Sequence, residues 1–295
     1  MRSRLAVLGG DEREQEIARL AASVGFEVRA FGFPWPDGGI EGVSLATSPA
    51  DALAGAVYAL FPIPGIAADG SLFAPSASAP IIPTAELLGG LAPGGHVILG
   101  AADAGLRAAA AAAGVALHEY EDDVELMLER GPAIVEGTVA AIVASTRVTI
   151  HRSEVAVVGH GTIGALLART LVLLGARVTV VARNPAQRAA ARAAGADAIP
   201  LNDLAELAPR LAMLLSTVPA PVVDRATLER LPQGTLVMDL AAPPGGVDLD
   251  TARALGLTAV WARGLGRRAP VTVGASQWGG ILRRINEIEE ARRAG

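Results

Sequence analysis

Two residue types that carry much of protein chemistry are missing from this sequence. It has no cysteine, and all 25 of its basic residues are arginine. Without cysteine there are no disulfides, thiolate nucleophiles, cysteine-bound zinc ions or iron–sulfur clusters, and we expect no metal site. Without lysine there is no Schiff-base chemistry and no P-loop lysine. Arginine, carboxylates, backbone amides and a bound cofactor must therefore supply the chemistry.

Aromatic residues and long apolar runs are also scarce. Aromatic side chains make up 3% of the chain, although hydrophobic residues make up 51%. No apolar run approaches the roughly 18 residues of a membrane-spanning helix. The segment Met1-Arg2-Ser3-Arg4 leads into a predicted strand rather than a signal-peptide core, so we expect a cytoplasmic protein. A net charge of -5 without a basic cluster argues against nucleic acid as a partner.

The clearest motif is the segment EVAVVGHGTIGA at positions 154–165, which predicts a strand, a glycine turn and the start of a helix. Its loop residues are Gly159, His160, Gly161, Thr162, Ile163 and Gly164. Glycines at this spacing allow the turn, the approach of a pyrophosphate to the backbone, and close packing of the helix on the strand. An apolar helix, Gly175 and a second strand at 177–182 complete a βαβ unit. We therefore predict a nucleotide-binding Rossmann domain, with the pyrophosphate at the helix N-terminus.

The end of the second strand indicates which nucleotide binds. An acid at this position usually accepts hydrogen bonds from the ribose hydroxyls of NAD. Here the strand ends with Arg183 and Asn184, and Arg188 follows about one turn into the next helix. Arg183 could pair with a 2′-phosphate, so we predict NADP in preference to NAD, with Arg183 and Asn184 at the site. Alternatively, Arg183 is a solvated strand-end residue, and the missing acid only relaxes selectivity so that NAD also binds.

The rest of the chain alternates short apolar strands with helices, which predicts two doubly wound α/β domains. In the first half we expect strands near 5–8, 27–31, 56–61, 96–99 and 116–120, and helices near 11–24, 84–91 and 103–113. Asp11 and Glu14 have the spacing of a capping box. In the second half we expect further strands near 198–201, 213–218, 235–240 and 258–263. A Pro/Gly/Ser-rich loop at 61–83 follows a strand, where ligands of open α/β sheets bind.

The domain limits follow from the same pattern. We expect an N-terminal substrate and catalytic domain at 1–125, a connecting helix at 126–150, a Rossmann domain at 151–273, and a C-terminal helix at 274–295 that crosses back onto the first domain. The helical pattern from 122 to 150 contains a break at Gly131-Pro132. Glu136 in this segment is either a buried acid with a function or a solvated residue on the outer face.

The loops that follow the later strands of the second domain are expected to cover the ribose and nicotinamide. They contain Thr217, Val218, Pro219, Leu240 and Ala241. The active site is then expected in the cleft between the domains. None of the four histidines follows Gly161, so the cofactor-facing strand ends lack the base that an alcohol dehydrogenase needs. This favours hydride transfer without deprotonation of an alcohol.

Several segments in their order along the chain resemble the A-subunit family of dipicolinate synthase. They are LGGD with Arg13, PAIVEGT at 132–138, the GHGTIG loop, VAR at 181–183, STVP at 216–219, DLAAPPGGVD at 239–248 and the run 264–270. The resemblance implies oxidation of dihydrodipicolinate by NAD(P)+ to the pyridine dicarboxylate of bacterial endospores, in the mother cell, beside a flavoprotein-like B subunit. It also implies that Asp11, Arg13, Glu136, Thr138 and Arg267 contact the substrate, with Glu136 the proton acceptor.

Two positions depart from that family pattern. Pro243 and Val271 stand where members often have basic residues. Either Arg263, Arg267 and Arg268 compensate for them, or these arginines are solvated charges on a loop and the substrate differs. Because an unpaired anion is costly to bury, two alternatives stay open. The chain could be a related two-domain dehydrogenase of another small carboxylate, or a nucleotide-binding subunit whose catalysis needs a partner chain. Two-domain dehydrogenases usually pair through their Rossmann domains, so we also expect a homo-oligomer.

Overall fold

The computed structural model describes residues 3–63 and 65–294. Contacts divide the chain into two compact units, which we call the first domain (Met1–Arg130 with Ala269–Gly295) and the second domain (Gly131–Arg268). The domain limits expected from the sequence, at 125, 150 and 273, stay predictions. The expectation about Met1-Arg2 concerns residues outside the described part of the chain.

The first domain contains a parallel six-stranded sheet. Its strands are β1 (Arg4–Leu8), β2 (Glu27–Phe31), β3 (Val43–Leu45), β4 (Tyr58–Leu60), β5 (His96–Leu99) and β6 (Ala116–Glu119), in the order β3-β2-β1-β4-β5-β6. Four helices connect them: α1 (Glu12–Ser23), α2 (Pro49–Leu53), α3 (Ala85–Leu88) and α4 (Ala104–Ala113). This strand order, 3-2-1-4-5-6, is that of dinucleotide-binding sheets. The central strand β1 is apolar and its last four residues are buried, as expected when helices cover both faces.

A long helix, α5 (Val124–Ser145), runs from the first domain into the second. The predicted break at Gly131-Pro132 is wrong, because Pro132 lies inside this continuous helix. A proline in a helix interior removes one backbone hydrogen bond. Packing at Gly131 favours the continuous helix α5 in spite of this loss. A Cβ at Gly131 would overlap the Leu166 side chain, so the glycine allows the leucine to pack directly against the backbone of α5.

The second domain repeats the strand order of the first. Its parallel sheet has the order β12-β11-β10-β7-β8-β9, with β7 (Glu154–Val158), β8 (Arg177–Val181), β9 (Asp197–Ile199), β10 (Met213–Ser216), β11 (Leu236–Asp239) and β12 (Thr258–Trp261). Its helices are α6 (Thr162–Leu173), α7 (Pro185–Ala193), α8 (Leu204–Leu207), α9 (Arg225–Leu228) and α10 (Leu249–Ala254). Short 3-10 turns occupy Leu201–Asp203, Ala208–Arg210 and Leu265–Arg268.

The last helix, α11 (Pro270–Ala294), belongs to the first domain. Its buried stripe includes Trp278, Ile281, Ile285 and Ile288, and these pack in one core with Leu5 of β1. This confirms the expected fold class: two doubly wound α/β domains, with a Rossmann sheet in the C-terminal one and a C-terminal helix that returns to the first. The same helix begins at Pro270, four residues earlier than the 274 expected.

The predicted strands all correspond to observed ones, whereas the sequence reasoning missed several short elements. These are β3, α2, and the helices α8 to α10. The helix expected at 84–91 is shorter, since α3 has four residues. None of the helices in the described part of the chain is long and apolar enough to cross a membrane.

Candidate functional site

The glycine loop of the second domain connects β7 to α6 at the point where the strand order reverses. Gly159 has a positive φ of 95°, which a residue with a side chain rarely adopts, and its N–H donates to the carbonyl oxygen of Val181 at 2.9 Å. Gly161 is the N-cap of α6, and no side chain caps the helix there. The first-turn amides of a helix have no partner within the helix. This N-terminus is therefore suited to a bound anion.

The three glycines of the loop differ in what surrounds them. A Cβ at Gly164 would overlap the Gly159 carbonyl oxygen, so this glycine is required for the packing of α6 on the loop. A Cβ at Gly159 would lie 2.6 Å from the Thr217 hydroxyl. A Cβ at Gly161, in contrast, would meet no atom of the described residues within 4 Å. The fold itself gives no reason for a glycine at Gly161, whereas a phosphate against the backbone does.

A cavity of about 370 Å³ lies beside this loop. Eight residues predicted for the cofactor site line it: Gly159, His160, Gly161, Arg183, Asn184, Thr217, Val218 and Pro219. The other five predicted residues are not among its lining residues; Thr162, Ile163 and Gly164 open α6, and Leu240 and Ala241 follow β11. Sequence reasoning missed Gln187, Leu201 and Val222, which also line the cavity. Burial lowers the pKa of His160, which favours the neutral imidazole.

The far end of the cavity is formed by the segment after β8. Asn184 caps α7 by accepting from the Ala186 N–H at 2.8 Å. The Arg188 guanidinium donates to the carbonyl oxygens of Ala182 and Arg183, both at 2.7 Å. Arg183 itself is exposed at the rim. Among the described residues, two guanidinium groups and no carboxylate therefore lie at the position where the ribose is expected.

Asp239 at the end of β11 organises the loop that contains Leu240 and Ala241. Its side chain is 1% exposed and accepts hydrogen bonds from the N–H groups of Ala241, Gly246 and Val247 at 3.0, 2.7 and 3.2 Å. A carboxylate that accepts several backbone N–H groups stabilises a loop strongly. Asp239 thus has a structural role at this strand end.

The substrate-contact residues predicted in the second domain differ in their environments. Glu136 is exposed on α5 and forms an ion pair with Arg268, so of the two alternatives for this acid the structure has the solvated one. Thr138 is fully buried, and its hydroxyl donates to the Ile134 carbonyl oxygen at 2.8 Å. The Arg267 guanidinium packs beside Gly264. Arg263 lies over the Trp261 ring, 5.6 Å from its centroid.

The corresponding residues of the first domain lie after β1. Arg13 forms a two-fold ion pair with Asp11, with both nitrogen–oxygen distances at 2.8 Å. Glu14 is buried and completes the capping box, as the sequence predicted, by accepting from the Asp11 N–H at 2.7 Å. Its other oxygen accepts from the Ile63 N–H at 3.0 Å. Burial raises the pKa of Glu14 despite these two amides.

The helix N-terminus after β1 therefore differs from the one after β7. In the first domain a carboxylate of the chain occupies the amides, and a Cβ at Gly10 would overlap the Glu14 side chain. In the described part of the second domain no side chain caps α6. Within residues 3–63 and 65–294, the helix after β7 thus presents uncapped amides to a phosphate, whereas the helix after β1 does not. No group of three or more His, Cys, Asp or Glu side chains among residues 3–63 and 65–294 could hold a metal ion.

Two family models match the chain. Residues 4–121 match the N-terminal domain of the dipicolinate synthase A subunit, and residues 142–254 match the shikimate/quinate 5-dehydrogenase model. The second match agrees with an NAD(P)-dependent oxidoreductase-type fold, and dehydrogenase-type relatives of this fold imply a nicotinamide cofactor.

Three known proteins show the extent of the similarity. The A subunit of dipicolinate synthase from Bacillus subtilis (strain 168) is 28% identical over 272 residues, which is 92% of each chain. The crystal structure of the same subunit from Bacillus halodurans is 26% identical, with a TM-score of 0.87 over 95% of this chain and 97% of that one. The transhydrogenase of Sinorhizobium meliloti has a TM-score of 0.67 at 18% identity, over 93% of this chain and 88% of that one, and shares the fold alone. In sequence and in fold, the chain is thus similar to the A subunit of dipicolinate synthase over nearly its whole length.

Proposed function

We propose that this chain is an NADP-preferring oxidoreductase that transfers a hydride from dihydrodipicolinate to NADP, giving dipicolinate during sporulation. The observation that carries the proposal is the uncapped N-terminus of α6 beside a cavity whose lining, among the described residues, includes Arg183 and no acid. Similarity to proteins that are named for dipicolinate synthase supports the substrate. The sporulation and mother-cell setting is likewise part of the proposal.

In this proposal the second domain holds the nucleotide. The amides of the first turn of α6, at Gly161 to Gly164, bind the pyrophosphate, and Arg183 pairs with the 2′-phosphate. Thr217 to Pro219, with Leu240 and Ala241, face the ribose and nicotinamide. The bound nicotinamide supplies a hydride acceptor. Arg188 is already bonded to two carbonyl oxygens, so Arg183 is the arginine available at the rim.

The proposed reaction removes one hydride and one proton from the dihydropyridine ring. The hydride leaves with the electron pair of its C–H bond, and the proton passes to a base, so that the ring becomes aromatic and NADP+ becomes NADPH. We propose Glu136 as that base, because its carboxylate is exposed on α5 and can be reached by a substrate. Asp11, Arg13, Thr138 and Arg267 remain the other proposed substrate contacts.

The test is NADPH formation at 340 nm by the purified chain, fed with the product of dihydrodipicolinate synthase. NADP+ and NAD+ are compared side by side. We expect turnover with NADP+ favoured. Absence of turnover with either nucleotide, despite bound NADP+, would overturn the proposal for the isolated chain.

The role of Glu136 is tested in the same assay. Glu136→Gln should lower kcat by about 100-fold, within the range for loss of a general base. Glu229→Gln is the matched control, since Glu229 is also exposed in the second domain and paired with an arginine, Arg225. Full turnover by Glu136→Gln would assign the proton to another acceptor.

A second candidate is a nucleotide-binding subunit whose catalysis requires a partner chain. The word subunit in the names of the similar proteins favours it. Addition of a B subunit to the assay would then raise turnover from background, whereas our proposal expects turnover without it. If the chain is instead a related enzyme of another small carboxylate, a panel of such substrates would show turnover with that compound. We also propose that two copies of this chain associate, which a measurement of the protein's molecular mass in solution tests.

A further inference from the structure

Gln277 is a polar residue on the buried stripe of α11. It lies one helical turn before Ile281 and two before Ile285, so the helical period places it among apolar residues of the core. The side chain is 0% exposed. Neither its amide oxygen nor its amide nitrogen has a hydrogen-bond partner among the described residues. A buried amide left in this way destabilises the folded protein, so stability gives no reason for a glutamine here.

Two further side chains of the first domain also have buried polar atoms without a hydrogen-bond partner among the described residues. Tyr120, the residue after β6, is 2% exposed, and its hydroxyl is buried without a hydrogen-bond partner in the described chain. Gln277 lies beside that hydroxyl without a hydrogen bond of normal geometry. Arg130 is near the same tyrosine, and its Nε is buried without a partner among residues 3–63 and 65–294. The hydrogen-bond contact of its guanidinium is with the Met127 sulfur, a weak acceptor.

The charges near these three side chains have both signs. Arg13 is near Tyr120, but its charge is compensated by the two-fold ion pair with Asp11. The carboxyl groups of Glu14 and Glu121 lie near Tyr120 and Arg130, respectively. Arg130 forms no ion pair with a carboxylate of the described residues, whereas many of the other arginines do so. Arg130 is half-buried, so the group reaches the surface through its side chain.

We propose that Arg130, Gln277 and Tyr120 form a binding site for a carboxylate group of a small organic acid in the first domain. The site rests on the proposed function, for which it supplies a substrate carboxylate contact not identified from the sequence. The planar guanidinium matches a carboxylate, the Gln277 amide nitrogen donates to it, and the tyrosine hydroxyl donates a further hydrogen bond. A carboxylate thus satisfies donors that the described residues leave unpaired.

The test measures ligand binding and stability of the full chain together. The probes are pyridine-2,6-dicarboxylate, a panel of other small carboxylates, and inorganic phosphate, each titrated by calorimetry. Gln277→Leu should weaken dicarboxylate binding by about tenfold or more, the loss of a hydrogen bond to a charged group. Its NADP+ affinity should be unchanged. Its melting temperature without ligand should be unchanged or higher, because the substitution removes unpaired buried polar atoms.

Two further variants and one control keep the test decisive. Tyr120→Phe removes only a hydroxyl and should also weaken dicarboxylate binding without lowering the melting temperature; it serves if Gln277→Leu does not fold. Arg130→Gln removes the charge and should have the largest effect on binding. Gln233→Leu is the matched control, because Gln233 is exposed in the second domain, and it should leave dicarboxylate binding unchanged.

The outcomes separate this site from the proposed function. Unchanged dicarboxylate affinity in all three variants would overturn the site and leave the proposed function standing. Binding of a different carboxylate, lost in Gln277→Leu, would support the site and overturn the proposed substrate. Binding of no carboxylate by the wild-type chain, or equal preference for phosphate, would overturn the site.

Discussion

Substitution of Gly161 by alanine separates the role of the glycine loop in binding from its role in folding. Gly161 has φ -79° and ψ -165°, an extended conformation that any residue adopts. A Cβ there meets no atom within 4 Å in the part of the chain that the structure describes. The free energy of unfolding should therefore change by less than about 1 kcal/mol, since the weaker N-cap and the less flexible unfolded chain act in opposite directions.

The effect on NADP+ binding should be much larger. In the proposed complex the pyrophosphate lies against this backbone, and a methyl group would displace it from one amide. At about 1.5–3 kcal/mol for each hydrogen bond to a charged group, the affinity should fall by roughly 10- to 100-fold. Gly164→Ala provides the contrast, because its Cβ would overlap a backbone oxygen. This overlap should cost about 3 kcal/mol and lower the melting temperature by roughly 6 to 12 °C.

The assay is calorimetric titration of NADP+ into each variant, with thermal unfolding of the same samples. Gly38→Ala is the matched control, since Gly38 also has open space around its Cβ position but lies in the first domain. It should leave both quantities unchanged. Unchanged NADP+ affinity in Gly161→Ala, at unchanged stability, would refute the placement of the pyrophosphate on this loop.

Three other substitutions test separate parts of the account. Arg183→Ala should lower kcat/KM for NADP+ by about tenfold, from the loss of one charged hydrogen bond, and leave kcat/KM for NAD+ nearly unchanged. An unchanged NADP+/NAD+ ratio of kcat/KM would show Arg183 to be only a solvated strand-end residue. Arg177→Ala is the control. Asp239→Ala should cost about 3 kcal/mol or more in denaturant unfolding, because it leaves three backbone N–H groups unpaired, whereas the exposed Asp250→Ala should change little. Burial raises the pKa of Glu14 above its usual 4.5, so the folded protein holds this proton more tightly than the unfolded chain. The stability of the wild type relative to Glu14→Gln should therefore be greatest at acidic pH and decrease as the pH rises through the folded-state pKa. A stability difference that grows with pH would contradict this.

The sequence predicted the parts of the fold that depend on local pattern. Continuous β-branched runs such as 154–158 predicted buried parallel strands, and Asp11 with Glu14 predicted the capping box that begins α1. The strand β3 was missed because its three residues are largely exposed and show no periodicity. The helix α5 was interrupted in the prediction because Gly131-Pro132 is a local breaker, whereas packing with Leu166 decides the structure.

The site residues that depend on distant contacts could not be predicted. Nothing near Glu14 in the sequence indicates that its carboxylate also binds the N–H of Ile63, 49 residues away. Gln187 lines the nucleotide cavity, but in the sequence it resembles any polar residue of a surface helix. Gln277 did carry a signal, because it occupies a position where the helical period of 273, 277, 281 and 285 requires an apolar residue.

The central claim is that hydride loss from the dihydropyridine ring is coupled to nucleotide reduction on this chain. A single-turnover experiment tests it directly: the chain in excess, saturated with NADP+, is mixed with dihydrodipicolinate without oxygen, and NADPH and pyridine dicarboxylate are both quantified. The account predicts that the two products appear at the same rate and in equal amounts. Aromatic product that forms at the same rate without NADP+, or without matching NADPH, would contradict it.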